Sequence, residues 1–581
     1  MKKYLFSLMA LATMGIANAQ YASYVAGLAP KSHLGLDGLI TAENYVRHHA
    51  TIVDANGNAF VSAAFDTEYF EYSPIGVSAM VIKIGELGLQ EWTAPMIGAA
   101  TVKDLLSDGN GGVYVAGVFA DEVVFYGADG ESITTDGYKE GDAYTTSQAA
   151  SFIAHYNAEG KLLMLNKIVP EHDPKLDELI DPFEGTKAYN PDDGDIYCTV
   201  DKLMKDGDKL YAKFDYCGKV TAAENTATSG SMDMFGWGMY YQAMKAAGVA
   251  ELDQNLGFKK VIVNMYTNSF SALYDLQEIF SSTATLKDGH LYMGAIGNGD
   301  VNVASFDGGI TLSHEMPESG GYNFGYIVAD FNLNDPSKSQ IKSRIGASAD
   351  DFLATTMKDM YFSGDLLMIS GNFQGSLGFD KAIEAIGSSD IYTAALNPSD
   401  LSVVATKASG YNEGEKTDYE EIYTSSTVCG SLLFINGYAA IKKGHVLTAP
   451  LCYIYDMTTG TLTDVSNGSY IFGTAAGADG KCLLTAWAAP ELTGTTFSLY
   501  DVDPAGVSDA TIGNNGVKVF ATDATVYTSE ACDVEIVALN GATVAAAKSA
   551  TSIGIAALPA GIYLVRTTTA AGVGAAKIVK R

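Results

Sequence analysis

Asp108-Gly109-Asn110-Gly111-Gly112-Val113-Tyr114-Val115-Ala116-Gly117 is a turn feeding a strand. Asp, Asn and Gly tolerate the positive φ that tight hairpins need, and the apolar run after them favours extended backbone. The phrase recurs. Related units surround Gly57, Gly207, Gly289, Gly364, Gly430 and Gly480, as in Asp206-Gly207-Asp208-Lys209-Leu210-Tyr211 and Asp288-Gly289-His290-Leu291-Tyr292. A second strand with its own turn follows each unit. Examples are Ala79 to Ile84, Ser151 to Tyr156, Tyr326 to Phe331, Ile391 to Leu396, Cys452 to Asp456 and Phe497 to Asp501. In the third unit, the candidate is Val261 to Tyr266. Antiparallel units of four strands repeated radially make a β-propeller.

The expectation is therefore an all-β chain: about seven four-stranded blades over residues 20–506, six or eight being alternatives, then a small Ig-like β-sandwich over 507–581. Neighbouring hairpin glycines stand between 50 and 96 residues apart. Blades run to about 40–50 residues, so insertions are placed near 171–195 and 222–258. The seventh unit lacks a fourth strand, and residues 21–26 are the candidate to supply it. The spacing Asp108-x-x-Gly111-x-x-Tyr114-x-x-Gly117 also resembles that of bacterial β-propeller repeat proteins. That resemblance implies a fold and a surface setting, not a reaction.

The ends read as addresses. Met1-Lys2-Lys3, an apolar run from Leu5 to Ile16 and Ala17-Asn18-Ala19 have the order of a secretory signal peptide over residues 1–19. The run is too short to span a bilayer, and no later segment is long and apolar enough, so no transmembrane helix is expected. Near the other end, Val534-Glu535-Ile536-Val537 alternates, an Asn540-Gly541 turn follows, and Leu558-Pro559-Ala560-Gly561-Ile562-Tyr563-Leu564-Val565 precedes a basic end from Lys577 to Arg581. These residues resemble the C-terminal sorting domain of Bacteroidota type IX secretion cargo. The resemblance covers about the last 65 residues. It implies recognition by secretion machinery of the outer membrane, with Asn540, Gly541, Leu558, Gly561, Tyr563 and Lys577 as sorting-motif positions. It also implies an extracellular or outer-membrane-surface location. A periplasmic location is the alternative.

The 581 residues carry 36 Lys+Arg against 68 Asp+Glu, a net charge of −32, which excludes nucleic acid as an expected partner. Asp54-x-Asn56-x-Asn58 and Asp108-x-Asn110 resemble the first half of a Ca2+ loop, but Phe65 and Phe119 stand where the bidentate Glu is needed. The turn reading is preferred, and no cofactor is expected. Residues 171–195 are acidic and read as a solvated insertion. The Met- and aromatic-rich stretch 232–244 is the candidate binding surface, through Phe235, Trp237, Tyr240 and Tyr241, and residues 239–253 could continue as a short helix. Cys198 and Cys217 lie nearly symmetrically about Gly207, a candidate disulfide across one hairpin. No H-E-x-x-H, G-x-S-x-G or phosphate-loop pattern occurs, and no catalytic residue is assigned. The favoured role is binding or scaffolding at the cell surface, with an unknown protein, peptide or glycan as ligand. The alternatives are an extracellular propeller lyase or hydrolase acting on a polymer, and a structural surface-layer protein.

Overall fold

The computed structural model describes residues between 50 and 580, apart from a set of segments of which 65–76, 136–149, 172–179, 186–195, 268–278, 348–355, 410–418 and 502–516 are the longest. Two compact units divide the chain, Met1–Asp503 and Pro504–Arg581.

The first unit is a seven-bladed β-propeller. Its innermost strands are Thr51–Val53, residues 99–107, Tyr197–Asp206, Ile279–Lys287, Asp359–Ser363, Tyr419–Cys429 and Ser469–Ala476. Each pairs antiparallel with the strand after its hairpin, and the sheet then continues outward. Innermost strands touch in sequence order, and the seventh touches the first, so the ring closes. The hydrophobic clusters lie between consecutive blades. Phe60, Trp92 and Phe152 pack between blades 1 and 2, Phe214 and Ile153 between 2 and 3, Met265 and Met293 between 3 and 4, and Tyr326 and Tyr392 between 4 and 5. The inner sheets of blades 2 to 5 are therefore buried on both faces, which is why these strands read as near-continuous apolar runs.

The turns form as their residues dictate. Asp54 Oδ1 accepts the N–H groups of Asn56 and Asn58, each at 2.9 Å, and Asp54 Oδ2 accepts from the Asn58 side chain. Asp108 Oδ1 accepts from Asn110 and Gly112 at 2.6 and 2.9 Å, and Asp108 Oδ2 meets His155 Nε2 at 3.0 Å. The calcium-like spacing is thus an Asx turn, with the carboxylates spent on backbone N–H groups. Of the hairpin glycines, Gly111, Gly207, Gly289 and Gly364 have φ between +57° and +84°. Gly57, Gly430 and Gly480 lie outside the described residues.

Blades 1 and 2 share one long strand, Gln90–Ser107. Residues 90–97 close blade 1, and 99–107 open blade 2. The break falls at Gly98, with φ +122°, where a Cβ would stand 2.5 Å from the Glu122 carbonyl oxygen. Among the described residues blade 7 holds three strands, Ser469–Ala476, Lys481–Ala488 and Thr495–Asp501. The proposed partner strand at 21–26 lies outside the described residues, as does the signal-peptide segment.

Blade 3 departs from expectation. Its third strand is Lys245–Leu252, and Val261 to Tyr266 belongs to the fourth, Phe258–Thr267. The helix expected over 239–253 is a strand because Ala246, Ala247, Val249 and Ala250 are buried between two paired neighbours. Tertiary pairing overrides the helix propensity of alanine.

Among the described residues the second unit holds five antiparallel strands, Val519–Ala521, Thr525–Ala538, Thr543–Gly554, Gly561–Thr569 and Gly572–Lys580, and the long strand Thr525–Ala538 pairs with the first, third and fourth of them. Val526, Val534, Ile536, Tyr563, Val565 and Ile578 form its core.

Candidate functional site

The innermost strands of blades 1 to 6 line an axial cavity of about 600 Å³. That volume lies in the range of small-molecule sites, about 300–1,000 Å³. Blades 2, 3 and 5 each bring a charged pair to it, Lys103-Asp104, Asp201-Lys202 and, where the fifth innermost strand begins, Lys358-Asp359. Ser282 and Ser426 add hydroxyls from blades 4 and 6.

Bulges help to aim these groups. Lys103 is the extra residue between Val102 and Asp104 in the pairing of blade 2, and Asp201 is the extra residue opposite the Lys213/Phe214 step in blade 3. A bulge leaves one residue unpaired and redirects side chains locally.

Polar clamps join blade 2 to 3, 3 to 4, 4 to 5 and 5 to 6 at or beside the innermost strands. Ser151 Oγ donates to the Cys198 carbonyl at 2.8 Å and accepts from Val200 N–H at 2.7 Å. Asp104 Oδ2 accepts from Leu203 N–H at 2.6 Å. Ser281 Oγ donates to the Met357 carbonyl at 2.8 Å. Asn372 Nδ2 donates to the Glu421 carbonyl at 2.7 Å, and its Oδ1 accepts from Tyr423 N–H at 3.1 Å.

The clamp from blade 3 to blade 4 is charged. Lys213 is fully buried, and its Nζ donates to Asp201 Oδ2 and Asp215 Oδ2, each at 2.8 Å, and to the Ser282 carbonyl at 2.9 Å. Ser282 Oγ donates to Asp215 Oδ1 at 2.5 Å. Burial would lower the Lys213 ammonium, but Asp201 and Asp215 together hold it above its usual value. Burial pushes the Asp201 carboxyl up, Asp215 adds to this, and Lys213 opposes it. Asp201 Oδ1 is buried without a hydrogen-bond partner, which favours the neutral acid in the same direction. Burial also pushes Asp104 up to about 6, against Lys202 and the N–H groups of Leu203 and Leu105. Lys103 is lowered by burial; Asp201 opposes this and Lys358 reinforces it. Across the cavity the Tyr423 hydroxyl donates to Asp359 and sits 2.8 Å from Ser426 Oγ.

The expected site residues fall elsewhere or outside the description. Phe235, Trp237 and Tyr240 lie outside the described residues, and Tyr241 pairs with Asp233 in a two-stranded ribbon. Neither Cys198 nor Cys217 is bridged; both are buried free thiols. The bulge at Asp201 shifts the register by one residue. Cys198 therefore faces Tyr216, and Cys217 faces Tyr197. Symmetry about Gly207 holds only up to that bulge. In the second unit, Asn540 and Gly541 lie outside the described residues, between strands that pair Val537 with Thr543. Gly561 pairs with Lys580, and Lys577 pairs with Leu564. The Tyr563 hydroxyl donates to the Pro559 carbonyl at 2.9 Å, and Lys580 Nζ donates to the carbonyls of Ala556, at 2.8 Å, and Leu558. These bonds fix the Leu558-Pro559 turn.

No protein-family model and no curated protein matches the chain. Among solved structures it is similar to the Dos1 propeller, at 11% identity and TM-score 0.38, over 79% of this chain and 94% of that one. It is similar to virginiamycin B lyase from Staphylococcus aureus with quinupristin, at 9% identity and TM-score 0.28, over 70% and 98%. It is also similar to an α-L-arabinofuranosidase from Fusarium graminearum in complex with an iminosugar inhibitor, at 11% identity and TM-score 0.35, over 76% and 99%. The blades are defined by this chain's own strand pairing, and the ring by the contacts between its innermost strands.

Proposed function

We propose that this chain is an exported propeller that binds a small ligand, or the end of a larger one, in its axial cavity at the cell surface. The observation that carries the binding role is the cavity itself. It is of ligand size, and blades 2, 3 and 5 each turn a charged pair toward it. Residues 1–19 and the sorting-type segment support export and surface display, with the second unit serving the secretion machinery.

The test is fractionation of producing cells with mass spectrometry of both protein ends, followed by ligand screens on the recovered form. A surface form that starts at Gln20 and ends before about Val517 supports the proposal. A periplasmic form that retains Arg581 refutes surface display. In the screens, surface glycans and peptides should raise the melting temperature of the wild type but not of Leu106→Trp, which narrows the cavity. Equal shifts in both proteins refute the cavity as the site.

One observation favours a second reading, a lyase or hydrolase. Asp104, pushed up to about 6, shares the cavity with the lowered ammonium of Lys103, and such perturbed groups in a cleft suit acid–base work. Product release from an extracellular polymer that is lost in Asp104→Asn would support that reading.

A further inference from the structure

The charges around the cavity are formally balanced, with Lys103, Lys202, Lys213 and Lys358 facing Asp104, Asp201, Asp215 and Asp359. Their engagement is not balanced. Each lumenal carboxylate already accepts from the protein: Asp104 from Leu203 N–H, Asp201 from Lys213 and Asp359 from Tyr423. Asp215 accepts from both Lys213 and Ser282. Lys213 is spent on this clamp. The remaining lumenal ammonium groups, on Lys103, Lys202 and Lys358, have no hydrogen-bond or ion-pair partner among the described residues. Asp104, Asp359 and Asp201 attract Lys202, and Asp201 attracts Lys103, but none of them hydrogen-bonds to either ammonium, so the cavity offers donors without bonded acceptors. Three ammonium groups converging on one recess are screened less than single ones on the open surface, and together they attract an anion more strongly.

We propose that the axial cavity takes an anionic ligand, a small molecule or terminal residue bearing a carboxylate, sulfate or phosphate group, held by Lys103, Lys202 and Lys358. This rests on the reading of the cavity as the ligand site. A point charge with three rotatable donors suits each of these oxyanions, so the cluster specifies charge rather than one geometry. The upward shifts of Asp104 and Asp201 act in the same direction, since a protonated carboxyl does not repel the ligand.

The test is reductive methylation of the full-length protein, read lysine by lysine by mass spectrometry. Sulfate, galacturonate and neutral galactose are the probes, at constant ionic strength. Sulfate and galacturonate should protect Lys103, Lys202 and Lys358 while leaving Lys161 and Lys338, which are 55% and 72% exposed, reactive. Galactose should protect none. Lys103→Gln and Lys358→Gln alter exposed side chains, so both should fold, and each should weaken anion binding about tenfold, equal to about 1.4 kcal/mol. Protection by only one of the two anions supports the proposal and says which oxyanion fits. Three results overturn it. Galactose protecting as well as galacturonate refutes anion selectivity and leaves the cavity as a ligand site. Protection by no probe refutes both the anion and the cavity. Anion affinity unchanged in both variants places the anion elsewhere.

Discussion

Lys213→Met tests the charged clamp between blades 3 and 4. The wild-type ammonium is fully buried and makes three hydrogen bonds of 2.8–2.9 Å, two of them to carboxylates. Methionine matches the length of the stem but leaves Asp201 and Asp215 facing each other without their hydrogen-bonded counter-charge. Breaking a buried pair by removing one partner costs about 3–5 kcal/mol. Asp201 and Asp215 are each 29% exposed, and water screening brings the expectation to the lower end, about 3 kcal/mol. The cost must depend on pH. Uncompensated carboxylates favour the folded state only when protonated, so the loss is full at pH 8 and shrinks toward pH 5. Urea unfolding at both pH values reads the two numbers. The double variant Lys213→Met with Asp201→Asn should recover part of the loss at pH 8. A loss under about 1 kcal/mol at pH 8, or the same loss at pH 5, would refute the clamp.

Three further outcomes follow from the same geometry. Asp104 in the folded protein is raised from the usual 3.8 to about 6, so its stabilising contribution is complete below pH 3.8 and is lost as pH rises through 6. At about 1.4 kcal/mol per unit the shift amounts to about 3 kcal/mol, and to about 1–2 after screening by cavity water. Asp104→Asn should therefore gain about 1–2 kcal/mol relative to wild type between pH 4 and pH 7 in urea midpoints; a flat difference contradicts the shift. Gly98→Ala places a Cβ against the Glu122 carbonyl at φ +122° and should cost about 1–3 kcal/mol, seen as a lower melting temperature. An unchanged melting temperature speaks against the shared strand. Native protein treated with iodoacetamide should keep Cys198 and Cys217 unmodified, because both are buried and burial pushes the Cys198 thiol far up. Both should be alkylated once unfolded without reductant, and a peptide linking them contradicts the register.

The ring was legible in the sequence because its signal is local. An Asp whose carboxylate caps the next N–H groups, with Gly in the turn, writes a hairpin into a few residues, as Asp54 and Asp108 show. The cavity was not legible, because its lysines come from blades about 100 to 250 residues apart. Only folding brings Lys103, Lys202 and Lys358 to one axis. A signal did exist: each charged pair stands four to six residues before a hairpin, where an innermost strand is due. The cysteine pairing failed on a single bulge residue, Asp201, which no spacing argument exposes. Blade 3 was misread because the alanines of Lys245–Leu252 suit a helix in isolation and a doubly buried strand in the ring.

A crystal structure of the protein grown with galacturonate tests the central claim most directly. Density for the sugar is expected in the axial cavity, with its carboxylate within hydrogen-bond distance of Lys103, Lys202 or Lys358. Sugar density on any other surface, with the cavity holding only water, would contradict it.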